Sequence, residues 1–290
     1  MFAVADRLAR PSVALADEGS GPSRGGTSLT LEHVSVAYRS ATAPALTDVS
    51  LRIAPGELVC LLGPSGSGKS TILNVVAGLV KPSSGTVAAG GAPVLGPGPE
   101  RAVVFQDAAL FPWLTLRQNI EFPLRVKSVA SSVRAETSER LLRLVHLWKF
   151  RDSYPHELSG GMRQRGGIAR ALANDPAVLL MDEPFASLDA QTREILHGEV
   201  ERIWAATKKT ILFVTHNVRE AVRLADRIVL LGTRPGRILE ERTVDLPRPR
   251  GPNDEAVARM AGDVARRIAS EVEKVASEEA DVANPSDPRL

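Results

Sequence analysis

The segment Gly63-Pro64-Ser65-Gly66-Ser67-Gly68-Lys69-Ser70-Thr71 has the residue types, at the spacing G-x-x-x-x-G-K-[ST], that cradle phosphate. Its glycines let the backbone curl so that N–H groups turn inward as an anion nest. Lys69 supplies a point charge for the β- and γ-phosphates of a nucleotide, and the Ser70 hydroxyl can ligate Mg²⁺. The flanks agree. Glu57 to Leu62 is an apolar run of strand type, and Thr71 to Gly78 reads as a helix whose N-terminus faces the phosphates. A chance Gly/Ser-rich loop is a poor account of a full match in that setting, so a nucleoside triphosphate site is expected. A second chemical cluster closes Val178-Leu179-Leu180-Met181-Asp182-Glu183-Pro184, a buried-strand pattern ending in two acids. Carboxylates at the C-terminal edge of such a strand suit a parallel sheet, where ligands sit beyond the strand ends. There Asp182 would hold Mg²⁺, directly or through water, and Glu183 could polarise the attacking water as general base.

Between these two lies Leu158-Ser159-Gly160-Gly161-Met162-Arg163-Gln164-Arg165, with a helical run from Ile168 to Ala173. Ser159 and two glycines opening a helix leave N–H groups and the helix dipole free to face a phosphate. By itself Ser-Gly-Gly is an ordinary capped turn. In this company the chain resembles the ATP-binding-cassette (ABC) ATPases, whose signature is this segment, over about residues 28 to 240. The resemblance implies an α/β fold: a P-loop NTPase (RecA-like) core with an antiparallel β subdomain and an inserted α-helical subdomain. It implies that Tyr38 stacks on adenine, that Gln106 touches Mg²⁺ or the attacking water, and that His216, after the strand pattern Thr210 to Thr215, is the switch histidine. It places Ser187-Leu188-Asp189 in a loop crossing a dimer interface. ATP would lie between Gly63–Thr71 of one copy and Ser159-Gly160-Gly161 of a second, with Lys69, Gln106, Glu183 and His216 as the catalytic set, Ser70, Gln106 and Asp182 on the metal, and Asp189 among the nucleotide-site residues. The other four histidines have no comparable case. One departure stands out. Gly166-Gly167 follow the signature where relatives carry larger apolar residues, and two helical glycines cost about 1 kcal/mol each relative to alanine.

The elements that must position these residues follow from patterning. Residues 1–27, rich in Gly, Ser, Pro and Ala, read as a disordered extension. Residues 28–250 read as the ATPase domain, beginning with alternating segments that suggest a small antiparallel sheet. A helical subdomain is expected at about 107–175, where Leu141, Leu142, Val145 and Trp148 share one face. Leu110-Phe111-Pro112-Trp113 either begins a contact surface for a membrane partner or packs locally beneath a turn. Residues 251–290 hold an amphipathic helix, about Asn253 to Ala280, with Val257, Met260, Ala261, Val264, Ile268, Val272 and Val275 at spacings of three and four, then a loose tail.

Composition bounds the rest. With 36 Lys+Arg against 34 Asp+Glu, the net charge of +2 gives no case for a nucleic-acid partner. The single cysteine, Cys60, reads as a small buried hydrophobe, and one cysteine permits no disulfide within the chain. No apolar stretch is long enough to span a bilayer, and the N-terminus lacks the apolar core of a signal peptide. A transport role would therefore need a permease on another chain, with this chain peripheral on the cytoplasmic face of the inner membrane. Tyr154 to Arg165 is similar to bacterial importer ATPases, and Thr233-Arg234-Pro235-Gly236-Arg237-Ile238 with Leu110 to Trp113 is similar to the nitrate/sulfonate/taurine group. That group implies a two-subunit permease and a solute-binding protein. The alternatives are an exporter cassette or an ABC ATPase without a permease, although one P-loop, one cysteine and no long heptad run do not suit the repair and translation members.

Overall fold

The computed structural model describes residues 25–38, 43–186, 188–233 and 235–283, with side chains as far as Glu271 and at Glu273. The expectations for residues 1–24, for Ser187 and for the end of the C-terminal tail lie outside the described residues.

Five strands run parallel: β3 (Leu58–Leu62), β6 (Arg101–Val104), β7 (Val178–Asp182), β8 (Thr210–Thr215) and β9 (Arg227–Gly232). β10 (Arg237–Thr243) pairs antiparallel with β9, giving the order β10-β9-β3-β8-β7-β6. β3 and β8 are buried along their whole length, as strands covered on both faces must be, so both read as continuous apolar runs. Alternate side chains point to opposite faces. Val59, Leu61, Leu180, Leu212 and Val214 enter one core beneath an antiparallel sheet of order β2-β1-β4-β5. That sheet comprises β1 (Leu29–Val36), β2 (Leu46–Ile53), β4 (Ser84–Ala89) and the short β5 (Ala92–Pro93). Leu58, Cys60, Leu62, Leu179, Met181 and Phe213 enter a second core on the other face. Cys60 is fully buried there, and burial pushes its thiol well above the ordinary value.

The helices occupy the places the connections require. α1 (Lys69–Ala77) follows β3 directly. Between β6 and β7 the chain forms α2 (Leu116–Val126), α3 (Ser131–Leu144) and α4 (Gly160–Leu172), in the region expected to be helical. α2 is opened by a reciprocal cap in which the Thr115 hydroxyl accepts from the Gln118 N–H, while the Gln118 side chain accepts from the Thr115 N–H. Leu141, Leu142 and Val145 are buried in the second core. α5 (Ala190–Thr207) and α6 (Val218–Leu224) precede β8 and β9. α7 (Glu255–Ala283) lays Val257, Ala261 and Val264 into the second core, with Met260 and Ile268 packed against its edge. Among the described residues no helix is long and apolar enough to cross a membrane.

Candidate functional site

In a parallel sheet all carboxyl ends lie along one edge, and β3, β8, β7 and β6 are consecutive neighbours. The phosphate loop leaves β3, His216 follows β8, Asp182 ends β7 with Glu183 next, and Gln106 follows β6. Ser70 and Asp182, 112 positions apart, therefore meet at one rim because of strand order.

The phosphate loop has the backbone its glycines permit. Gly66 and Gly68 sit at φ of 80° and 83°, a left-handed conformation that a side chain would strain, and Gly68 opens α1. Lys69 folds back under the loop, its Nζ donating at 2.9 Å to the carbonyls of Gly63 and of Pro64. Burial lowers the Lys69 ammonium below its ordinary value, against the pull of Glu183 and Asp182. Ser67 Oγ is buried with no hydrogen-bond partner among the described residues. Ser65, Gly66 and Ser70 are exposed, so the outer rim of the loop is open to a ligand.

Ser70 Oγ donates to Asp182 Oδ1 at 3.0 Å. Burial raises the Asp182 carboxyl above its ordinary range, which the Ser70 hydrogen bond opposes and the Glu183 charge reinforces. A hydroxyl and one carboxylate held together this way fit Mg²⁺, which takes one or two protein oxygens and fills its octahedron with water and phosphate. Among the described residues no group of three or more His, Cys, Asp or Glu side chains is placed to hold a metal ion.

Glu183 lies at φ 44°, a left-handed conformation uncommon for a non-glycine residue. Its N–H donates to Val214 O at 3.0 Å, and its Oε2 lies 2.8 Å from His216 Nδ1. A carboxylate only accepts, so Nδ1 carries the donated proton. The imidazole side chain is 63% exposed.

The remaining expected residues fall into two groups. Tyr38 OH lies 3.4 Å from Thr71 Oγ1, so the ring is half-exposed beside the first turn of α1. Ser159 caps α4, accepting from the Met162 N–H at 3.3 Å. Gly160 packs toward Leu188, and Gly161 lies under Thr192 of α5. Gln106 opens on the same side, lining a cleft with Gly160, Arg163, Gln164 and Leu188. Asp189 caps α5, accepting from the Thr192 N–H at 2.9 Å and the Thr192 hydroxyl at 2.7 Å, bonds that hold its carboxyl below the usual range. Within one chain Gln106 and Asp189 thus group with the signature segment. Gly166 and Gly167 are buried. A Cβ on Gly166 would stand 2.6 Å from Leu116 Cδ1, and one on Gly167 would stand 3.1 Å from the Ala108 carbonyl. Close packing of α4 is what the pair provides.

Sequence reading missed His197 and Glu220, whose side chains meet at 2.6 Å directly behind His216. No pattern signals them, because they lie 23 residues apart on different helices.

The profile of the ABC transporter family matches residues 46–186. The taurine import ATP-binding protein of Chromobacterium violaceum is 47% identical over 87% of this chain and 93% of its own. The nitrate import ATP-binding protein of a Synechocystis strain is 50% identical over 70% of this chain and 76% of its own. Among solved structures, a bacterial ABC transporter cassette, MJ0796, determined as a dimer, superposes with a TM-score of 0.67 at 32% identity, covering 76% of this chain and all of that one. The same cassette in a post-hydrolysis dimer with ADP and Pi gives 0.65. By sequence, fold and site, this chain belongs to the ATP-binding proteins of the ABC transporter family.

Proposed function

We propose that this chain is the ATP-hydrolysing subunit of a bacterial importer, peripheral to the inner membrane, driving uptake of a small oxyanion or sulfonate such as nitrate or taurine through a separate permease. The observation that carries the catalytic half is the meeting of Lys69, Asp182, Glu183 and His216 at one edge of the parallel sheet. The importer half is supported by import relatives that align over most of their length.

In this reading Lys69 and the N–H groups of the loop bind the β- and γ-phosphates, and Tyr38 stacks on the adenine. Ser70 and Asp182 would hold Mg²⁺, which would neutralise charge on those phosphates. His216 orients the Glu183 carboxylate through Nδ1–H, and Glu183 accepts a proton from the attacking water. Ser159-Gly160-Gly161, at the N-terminus of α4, faces the γ-phosphate held by a second copy in a twofold pair. Gln106, just after β6, would touch Mg²⁺ or the attacking water and link the site to the helical subdomain, and Asp189 lies in the loop that crosses the interface between the two copies. A solute-binding protein delivers cargo to the permease.

Gentle isolation of the chain from native membranes, followed by mass spectrometry of its companions, tests the transport half. A multi-span permease with a solute-binding protein is expected, and recovery without any permease overturns it. Glu183→Gln tests the chemistry: ATP binding should persist while turnover falls by at least about a hundredfold, the usual worth of a positioned general base. Wild-type turnover in that variant removes Glu183 from the role.

A further inference from the structure

Behind the Glu183–His216 hydrogen bond lies an ionisable pair almost without access to water. His197, from α5, and Glu220, from the first turns of α6, have side chains 4% and 5% exposed, with His197 Nε2 at 2.6 Å from Glu220 Oε1. The carboxylate accepts, so Nε2–H donates. His197 Nδ1 faces the donor Arg223 Nη1 at 3.4 Å, with Glu194 Oε1 at 3.7 Å.

The other oxygen of Glu220 accepts from the Thr215 hydroxyl. That hydroxyl oxygen in turn accepts from the Asn217 N–H at 3.0 Å. His216 is the residue between them, so a single oxygen spans the turn that carries its ring, and Glu220 fixes that oxygen. The same pair also reaches the other partner: the His197 ring meets Phe185 edge-on at 5.5 Å, two residues past Glu183. A small cavity lined by Glu183, Phe185, Thr215, His216, Asn217 and Glu220 joins the two sides. Well-packed apolar residues often serve stability as well as buried ionisable groups, so these two side chains call for a positional explanation.

We propose that Glu220 is a positioning residue for ATP hydrolysis, acting through Thr215 Oγ1 to fix the turn that aims His216 at Glu183. The inference rests on the roles given above to Glu183 and His216, and the experiment separates its failure from theirs. Single-turnover hydrolysis, with the full chain in excess over ATP, is measured for Thr215→Val, Thr215→Ser, His216→Ala and the Thr215→Val/His216→Ala double variant, alongside ATP affinity. Thr215→Val should slow hydrolysis about tenfold, since small misplacements of a catalytic group cost one to two orders of magnitude. Its ATP affinity should stay unchanged, and Thr215→Ser should restore the rate. In the His216→Ala background the same change should cost less than about twofold, because its target is gone. An equal loss in both backgrounds, or a wild-type rate for Thr215→Val, overturns the positioning role. A wild-type rate for His216→Ala alone overturns the reading of the site, and the inference with it. Should Thr215→Val not fold, Glu220→Met, which keeps the length of the side chain and removes both acceptor oxygens, enters the same cycle with the same outcomes.

Discussion

At the scale of single residues the site holds charge in an unfavourable state. Asp182 is raised by burial and Lys69 lowered by it, and both lie at the rim proposed to take phosphate and metal. The raised carboxyl has a consequence in pH. A folded-state value above the unfolded one means the folded chain binds that proton more readily, so ionised Asp182 costs stability at neutral pH. The cost fades as pH falls through the raised value and is gone below the unfolded value of about 3.9. Asp182→Asn keeps an oxygen for the Ser70 hydroxyl and removes the charge. Nucleotide-free protein carrying it should melt about one to two degrees higher than wild type at pH 7.5, a small shift because the group is partly solvated. The difference should close near pH 4, while Mg²⁺-dependent hydrolysis is lost. Scanning calorimetry across pH reads both limits, and an Asn variant that melts lower at pH 7.5 contradicts the argument.

At the scale of elements, what could be read from the sequence was whatever a repeating pattern encodes. β3 and β8 show as apolar runs because both faces are covered, and α7 shows through Val257, Ala261 and Val264 at helical spacing. The phosphate loop shows because its chemistry is local, nine residues long and order-dependent. The left-handed backbone of Glu183 and the bonds among His197, Glu220 and Thr215 have no such signature. They depend on which strands become neighbours, as does Arg250, buried in the turn before α7 and donating to the carbonyls of Val222, Ala225, Val244 and Leu246. Gly166-Gly167 is intermediate, since the sequence shows a cost to the helix and only packing shows its use. The Ala108 backbone stands where a side chain on Gly167 would go, and backbone yields less readily than a side-chain tip. Gly167→Val should therefore lower stability by about 1–3 kcal/mol, the range for overpacking a filled core. Urea unfolding measures it, and an unchanged midpoint would mean that the segment after β6 gives way freely.

In the proposed function the whole molecule divides its nucleotide chemistry between two regions of one chain. Lys69, Ser70, Asp182, Glu183 and His216 gather at the sheet edge, while Ser159, Gly160, Gln106 and Asp189 group around the start of α4 and α5. A head-to-tail pair would bring the first group of each copy against Ser159 and Gly160 of the other, so every complete site would draw on both chains. This has a consequence that no single-chain site shares. Lys69→Ala disables one half and Ser159→Arg the other, so either variant alone forms a pair in which both sites are broken. Mixed in equal amounts, the two variants give hybrid pairs in which both defects fall in the same site and the other site is intact. Gel filtration with a slowly hydrolysed ATP analogue should then show a dimer retaining one nucleotide per hybrid pair, with no nucleotide retained by either variant separately. About half of all pairs formed at random are hybrids, so retention should approach a quarter of the wild-type value. Mixing that recovers nothing would place a complete site within one chain, and the division seen at α4 and α5 would need another meaning.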